Sequence, residues 1–138
     1  MRLKELNIYM VLLSVVLLLS SCGDDYKESG IEGQWQLQTI EMANGKSVKV
    51  DTVFYSFKKD VFRYLRLKTN TQTFTCFGNY SVSDEKLEID VNRDSFEPND
   101  DTAGLDWDTL IRTFTIKKHS SSTLELEFEG DTYYFRKY

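Results

Sequence analysis

From Gly33 to the end of the chain, apolar and polar positions alternate with a period close to two, and turn-forming residues recur roughly every eight to twelve positions. Successive side chains of a strand point to opposite faces, so this pattern predicts antiparallel strands with one buried face rather than helices. Trp35, Leu37 and Thr39 share one face of the first strand, whereas Ile40 and Met42 fall on the other. That switch predicts a bulge or bend near Thr39. Asn44-Gly45 is a hairpin signal. Val53, Tyr55 and Phe57 then alternate with Phe54, Ser56 and Lys58, and Lys59-Asp60 turns the chain into residues 61–68. Both faces of that strand carry apolar side chains, Leu65 and Leu67 against Tyr64, so its inward face stays open. After a turn at residues 69–72, Phe74, Cys76, Gly78, Tyr80 and Val82 share one side. A glycine inside this strand predicts a close backbone approach or a sharp bend. Leu87, Ile89 and Val91 alternate after the Asp84-Glu85 turn. Phe114 and Ile116 mark a later strand, Leu124, Leu126 and Phe128 the next, and residues 132–138 come after the Gly130-Asp131 turn.

Eight sequential strands with one apolar face cannot bury that face as a flat sheet. The expected fold is all-β, an eight-stranded antiparallel up-and-down barrel, because closure buries the face and removes the edges. A two-sheet sandwich is the alternative, and the lack of long crossovers argues against its Greek-key connections. Residues 92–108 form the one long connection, and no segment reads as a convincing helix.

The chain begins differently. Arg2 and Lys4 precede an apolar run at residues 10–19, followed by Leu19-Ser20-Ser21-Cys22. This is the layout of a secretory signal, and the run is about half the ~20 residues a spanning helix needs. The last four residues resemble a bacterial lipobox. That resemblance implies cleavage before Cys22 and acylation of its thiol and new amino group, hence a protein held on membrane lipid, at either face of the outer membrane. The expected divisions are a signal over residues 1–21, a lipidated flexible tether over 22–30 and a barrel domain over 31–138. Within the tether, Asp24-Asp25 resembles the export signal of Bacteroides-type surface lipoproteins, and it reads equally as a solvated spacer.

Removing the first 21 of 138 residues leaves 117, enough for one core. The first 21 hold Arg2, Lys4 and Glu5, so the remaining 117 carry 15 basic and 21 acidic side chains. Such a surface repels phosphate backbones, which argues against nucleic acid as a partner. With Cys22 lipidated, Cys76 has no partner in the chain, so stability must come from the core, and Cys76 is expected to be buried and quiet.

Gly33-Gln34-Trp35 opens the first strand of this meander, and here the chain resembles the lipocalins, whose first strand carries Gly-x-Trp. More closely, it resembles short bacterial lipocalin-like lipoproteins of unknown function, in Trp35-Gln36-Leu37 followed by Asn44-Gly45-Lys46, in Tyr55-Ser56-Phe57, in Gly78-Asn79-Tyr80-Ser81-Val82 and in Tyr134-Phe135-Arg136-Lys137. The late Thr-Asp-Tyr turn, the disulfide and the C-terminal helix usual in lipocalins are missing. The resemblance implies that Trp35 closes one barrel end beneath an arginine, with Arg136 the first choice and Arg112 the second. It also implies a binding module for a small apolar or amphipathic molecule, or for a partner protein, at the barrel mouth. The expected lining is Tyr55, Phe57, Tyr80, Phe96 and Trp107. The competing reading is a structural or protective envelope protein whose barrel is a closed core, because an eight-stranded barrel either fills with side chains or holds one small ligand.

Nothing in the chain calls for an enzyme, a cofactor or a metal. His119, the only histidine, lies among Lys118 and Ser120-Ser121-Ser122, a turn composition. The six carboxylates between Asp94 and Asp108 lack the spacing and central glycine of a calcium loop. They read as a solvated acidic cover, in which Phe96, Leu105 and Trp107 either staple the loop to the rim or line an opening.

Overall fold

The computed structural model describes residues 30–69, 71–96 and 104–138. The expected signal, most of the tether and Cys22 lie outside the described residues. Among the described residues nine strands succeed one another: β1 (Gly33–Glu41), β2 (Ser47–Lys49), β3 (Val53–Lys58), β4 (Val61–Leu67), β5 (Thr73–Ser83), β6 (Lys86–Val91), β7 (Ile111–His119), β8 (Thr123–Phe128) and β9 (Asp131–Lys137). Every pairing is antiparallel, and β1 pairs with β9 to close the sheet.

The closed wall has eight staves, because β2 and β3 are two parts of one. Both lie on the same side of β1, and the gap between them is bridged by Val50 N–H donating to Gln38 O and Asp51 N–H donating to Leu37 O, each at 3.0 Å. A kink at Asp51, with φ of 51°, separates the two. The result is a closed eight-stranded antiparallel barrel, as the alternation predicted. Lys59-Asp60 and Asp84-Glu85 each carry two consecutive positive φ values, the geometry that matches a tight hairpin to strand twist.

The expected bulge is present. Pairing of β1 with β9 slips between Leu37 and Thr39, so Trp35 and Leu37 point inward before it and Ile40 packs against the core after it. Gly78 sits opposite Val91, and a Cβ there would come within 2.7 Å of the Val91 Cα. Only a residue without a side chain lets β5 and β6 meet at that point. The open face of β4 resolves in favour of the rings: Phe62 and Tyr64 are buried, while Leu67 is exposed.

The barrel interior is mostly aromatic. Tyr55, Phe57, Phe62, Tyr64, Phe74, Phe114 and Phe135 are all buried, and they meet edge-on or tilted, as at Tyr55–Phe135 (4.8 Å) and Tyr55–Phe62 (5.3 Å). These are the favourable ring arrangements. Among the described residues, no helix is long and apolar enough to cross a membrane.

Candidate functional site

The two barrel ends are built differently. At the end where the chain enters, Trp35 is wholly buried and its indole N–H donates to Ile31 O at 2.8 Å. The cation over its ring is Lys137, with Nζ 4.4 Å from the ring centre, in place of the expected Arg136. Alternation along β9 is the cause. Phe135 points inward, so Lys137 does too, and Arg136 turns out to donate to Gln36 Oε1 at 2.8 Å. Gly33, at φ of 118°, makes the room: a Cβ there would come within 2.7 Å of the Lys137 Cε. Lys137 Nζ also donates to the Glu32 carbonyl. Inside the barrel this floor is plugged by packed side chains, and an open groove of about 530 Å³ runs along its outer side past Glu32, Gly33, Phe57 and Arg63. Phe57 and Tyr80 pack together near it, 4.9 Å apart.

The other end, the mouth, is closed by side chains of the connection between β6 and β7. Leu105 and Trp107 are buried inside the barrel. Trp107 stacks on Phe62 at 6.0 Å and meets Tyr55 and Phe114 edge-on. Both residues go deeper than a rim staple. Phe96 instead lies against Phe74, 5.7 Å away, half-buried. Beside Trp107 is a cavity of about 80 Å³. Its lining combines apolar Leu37, Ile40, Val50 and Val53 with Tyr55, Tyr64, Tyr133 and Arg112.

Arg112 occupies an inward position of β7 and is 7% exposed. Its guanidinium carbon lies 4.0 Å from the Phe128 ring centre, 4.8 Å from Trp107 and 5.7 Å from Phe114. Nη1 donates to the Tyr133 hydroxyl at 3.3 Å. Asp106 also borders the cavity, but it pairs with Arg66 on β4. Burial pushes the Tyr55 phenol far above its ordinary range, and its neighbours Tyr64 and Tyr133 add to the shift while Arg112 opposes it. Burial raises Tyr133 as well, again against Arg112. Burial likewise raises Tyr64. All three phenols therefore stay neutral at physiological pH, around one full positive charge.

Of the five residues expected to line a binding site, Tyr55 and Trp107 meet at this cavity. Phe57, Tyr80 and Phe96 do not: two are floor core and the third packs half-buried against Phe74. Arg112 and Tyr133 are the members that sequence reasoning assigned elsewhere or passed over. The signal for Arg112 was its parity, two residues before Phe114.

The remaining reactive groups are dispersed. Cys76 is buried mid-strand, and burial pushes its thiol up to about 12. His119 lies exposed at the floor end, its Nε2 2.9 Å from Gly30 O. Among the described residues, no three His, Cys, Asp or Glu side chains gather in a metal-binding group. Glu97, Asp100 and Asp101 of the acidic connection lie outside the described residues.

A family model described as a lipocalin-like domain matches residues 17–138, and the chain belongs to that family. It is similar to the crystal structure of a lipocalin-like protein from Bacteroides uniformis ATCC 8492, with 36% identity, covering 80% of this chain and 100% of that one, at a TM-score of 0.72. An uncharacterized protein from Bacteroides eggerthii DSM 20697 is 28% identical over 78% of this chain and 98% of that one, at a TM-score of 0.68. No curated protein matches.

Proposed function

We propose that this member of the lipocalin-like family is an outer-membrane lipoprotein, anchored through acylated Cys22, whose barrel mouth binds a small amphipathic molecule. The observation that supports this is the mixed lining of the cavity beside Trp107, which combines apolar Leu37, Ile40, Val50 and Val53 with Tyr55, Tyr133 and Arg112. Its volume of about 80 Å³ is below the usual range of ligand pockets. A ligand of more than a few atoms must therefore displace the Trp107 indole, a loop side chain that can leave without breaking the strand ladder. Gly30 lies at the floor end beside His119, so an anchor upstream of it puts the membrane at the floor and the mouth away from it. On this reading the barrel binds and carries out no reaction.

Native mass spectrometry of the protein purified from its own host is the direct test. A retained small molecule, released or exchanged in Trp107→Ala, is the expected result. The second reading is a structural or protective protein with a closed core. The rings that fill the barrel around Tyr55 favour it, as does a mouth already occupied by Trp107. It predicts no retained molecule, and no change other than lost stability in Trp107→Ala. A partner protein bound at the same rim is a third outcome, seen as a co-purifying chain that Trp107→Ala sheds.

A further inference from the structure

We infer that the mouth cavity is a carboxylate site, with the Arg112 guanidinium as the group that holds the anion. The inference rests on the mouth being the binding site and names the chemistry of the molecule that enters it.

Arg112 is a buried cation that no described residue pairs with an opposite charge. A guanidinium has five N–H donors, yet the bond to Tyr133 is its only hydrogen bond to a described residue, and it forms no ion pair with one. Asp106, which borders the same cavity, is taken by Arg66 and turned to solvent. A charge drawn largely out of water is unfavourable unless it is paired, and the donors of Arg112 that lack a protein partner face the cavity it lines. The rings of Phe128, Trp107 and Phe114 offset part of that through their faces. They also fix the orientation of the guanidinium. Ring contacts cover the faces of a planar cation, whereas its N–H donors point outward in its plane, where a carboxylate is met two bonds at a time.

The cavity bordering Arg112 fits that group in size and polarity. Each water occupies about 30 Å³, so about 80 Å³ accommodates a carboxylate and the carbon that bears it. The side chains of Leu37, Ile40, Val50 and Val53 suit that carbon. One positive charge matches one carboxylate. Tyr133 and Tyr55, both kept protonated by burial, bring no competing negative charge. The source of the carboxylate is either a small organic acid held whole or the head of a longer chain passing the half-buried Ile40 and Val50.

The test is a titration of the full chain, followed by NMR of the Trp107 indole and Arg112 guanidinium N–H signals, at neutral pH and constant ionic strength. The probes are acetate, octanoate and their neutral counterparts acetamide and octanol. Saturable shifts with the two carboxylates and not with the neutral pair are expected. Arg112→Lys, which keeps the charge beside the rings but loses the fork, should weaken carboxylate binding at least about tenfold. Equal affinities for acetate and octanoate identify a small acid, and much tighter octanoate binding identifies a chain head. If octanol binds as well as octanoate while acetate leaves Arg112 unmoved, the carboxylate assignment falls and the binding-module reading stands. If none of the four moves either signal, both fall. Unchanged carboxylate affinity in folded Arg112→Lys also overturns the assignment.

Discussion

The floor of the barrel gives the sharpest test of how the fold is held. Trp35 is wholly buried, donates its indole N–H to Ile31 O at 2.8 Å and lies under Lys137 Nζ at 4.4 Å. Trp35→Ala removes three things. Truncating a buried tryptophan costs ~3–5 kcal/mol in lost burial and residual cavity. The Ile31 carbonyl, on a residue only 1% exposed, loses its donor, which adds about 1 kcal/mol or more. The cation–ring contact contributes ~0.5–1 kcal/mol at a site where the lysine remains exposed. The sum of about 4.5–7 kcal/mol is a large share of the ~5–15 kcal/mol a typical domain has in reserve. Lys137→Met keeps the apolar stem over the ring and loses only the charge and the bond to Glu32 O, so about 1 kcal/mol is expected. Arg136→Ala loses a single exposed bond to Gln36 and should be close to neutral, within about 0.5 kcal/mol. Urea unfolding followed by far-ultraviolet circular dichroism separates the three. With a slope of about 2 kcal/mol per molar, Trp35→Ala should lower the midpoint by at least about 2 M, and Lys137→Met by about 0.5 M. A loss below about 2 kcal/mol in Trp35→Ala, or equal losses in Trp35→Ala and Lys137→Met, would refute ring burial as the largest contribution at the floor.

Other parts of the chain carry their own expected outcomes. Cys22→Ser should leave an unprocessed or mislocalised protein, since stable anchoring takes at least two acyl chains; a variant that still matures and fractionates with membranes would defeat the lipoprotein proposal. Cys76 should label slowly with thiol reagents in the native state, because burial holds its thiol in the neutral form. Its pKa is raised from 9.0 to about 12, so the associated stability is complete below about pH 9 and is lost as pH climbs towards 12; a denaturation midpoint that stays flat across that window would contradict this. Gly78→Ala should cost over about 2 kcal/mol because the new Cβ meets the β6 backbone. Gly45→Ala, with φ of 87° but open space around it, should cost about 1 kcal/mol from backbone strain alone, and calorimetry of the pair distinguishes collision from strain.

Much of the fold was readable because a strand writes its buried face into every second residue. The turn pairs at Lys59-Asp60 and Asp84-Glu85, the Gly78 contact and the bulge that moves Ile40 to the inside all came from breaks in that rhythm. Where both faces are apolar the rhythm is silent, and β4 is the example. Phe62 and Tyr64 are buried there while Leu67 remains outside, a choice set by packing against Tyr55 and Trp107 that no local pattern records. The cation over Trp35 shows the reverse. Strict alternation along β9 already pointed to Lys137, and only the arginine implied by lipocalin resemblance pointed to Arg136.

The site was harder to read because half of it comes from a connection with no period. Nothing in the spacing of Leu105 and Trp107 says that their side chains enter the barrel rather than cover its rim. Arg112 is different, since the alternation that places Phe114 inside places Arg112 inside as well. A full charge at an inward position breaks the agreement between local pattern and fold that the rest of the barrel obeys. Natural chains concentrate such breaks at functional positions. In this barrel Trp107, Phe128 and Phe114 surround the charge without neutralising it, and Asp106, which borders the same cavity, is held by Arg66. If packing alone governed that position, a methionine or leucine would fill the same space without a buried charge. The arginine is therefore best explained as the group that binds an anion in the adjoining cavity.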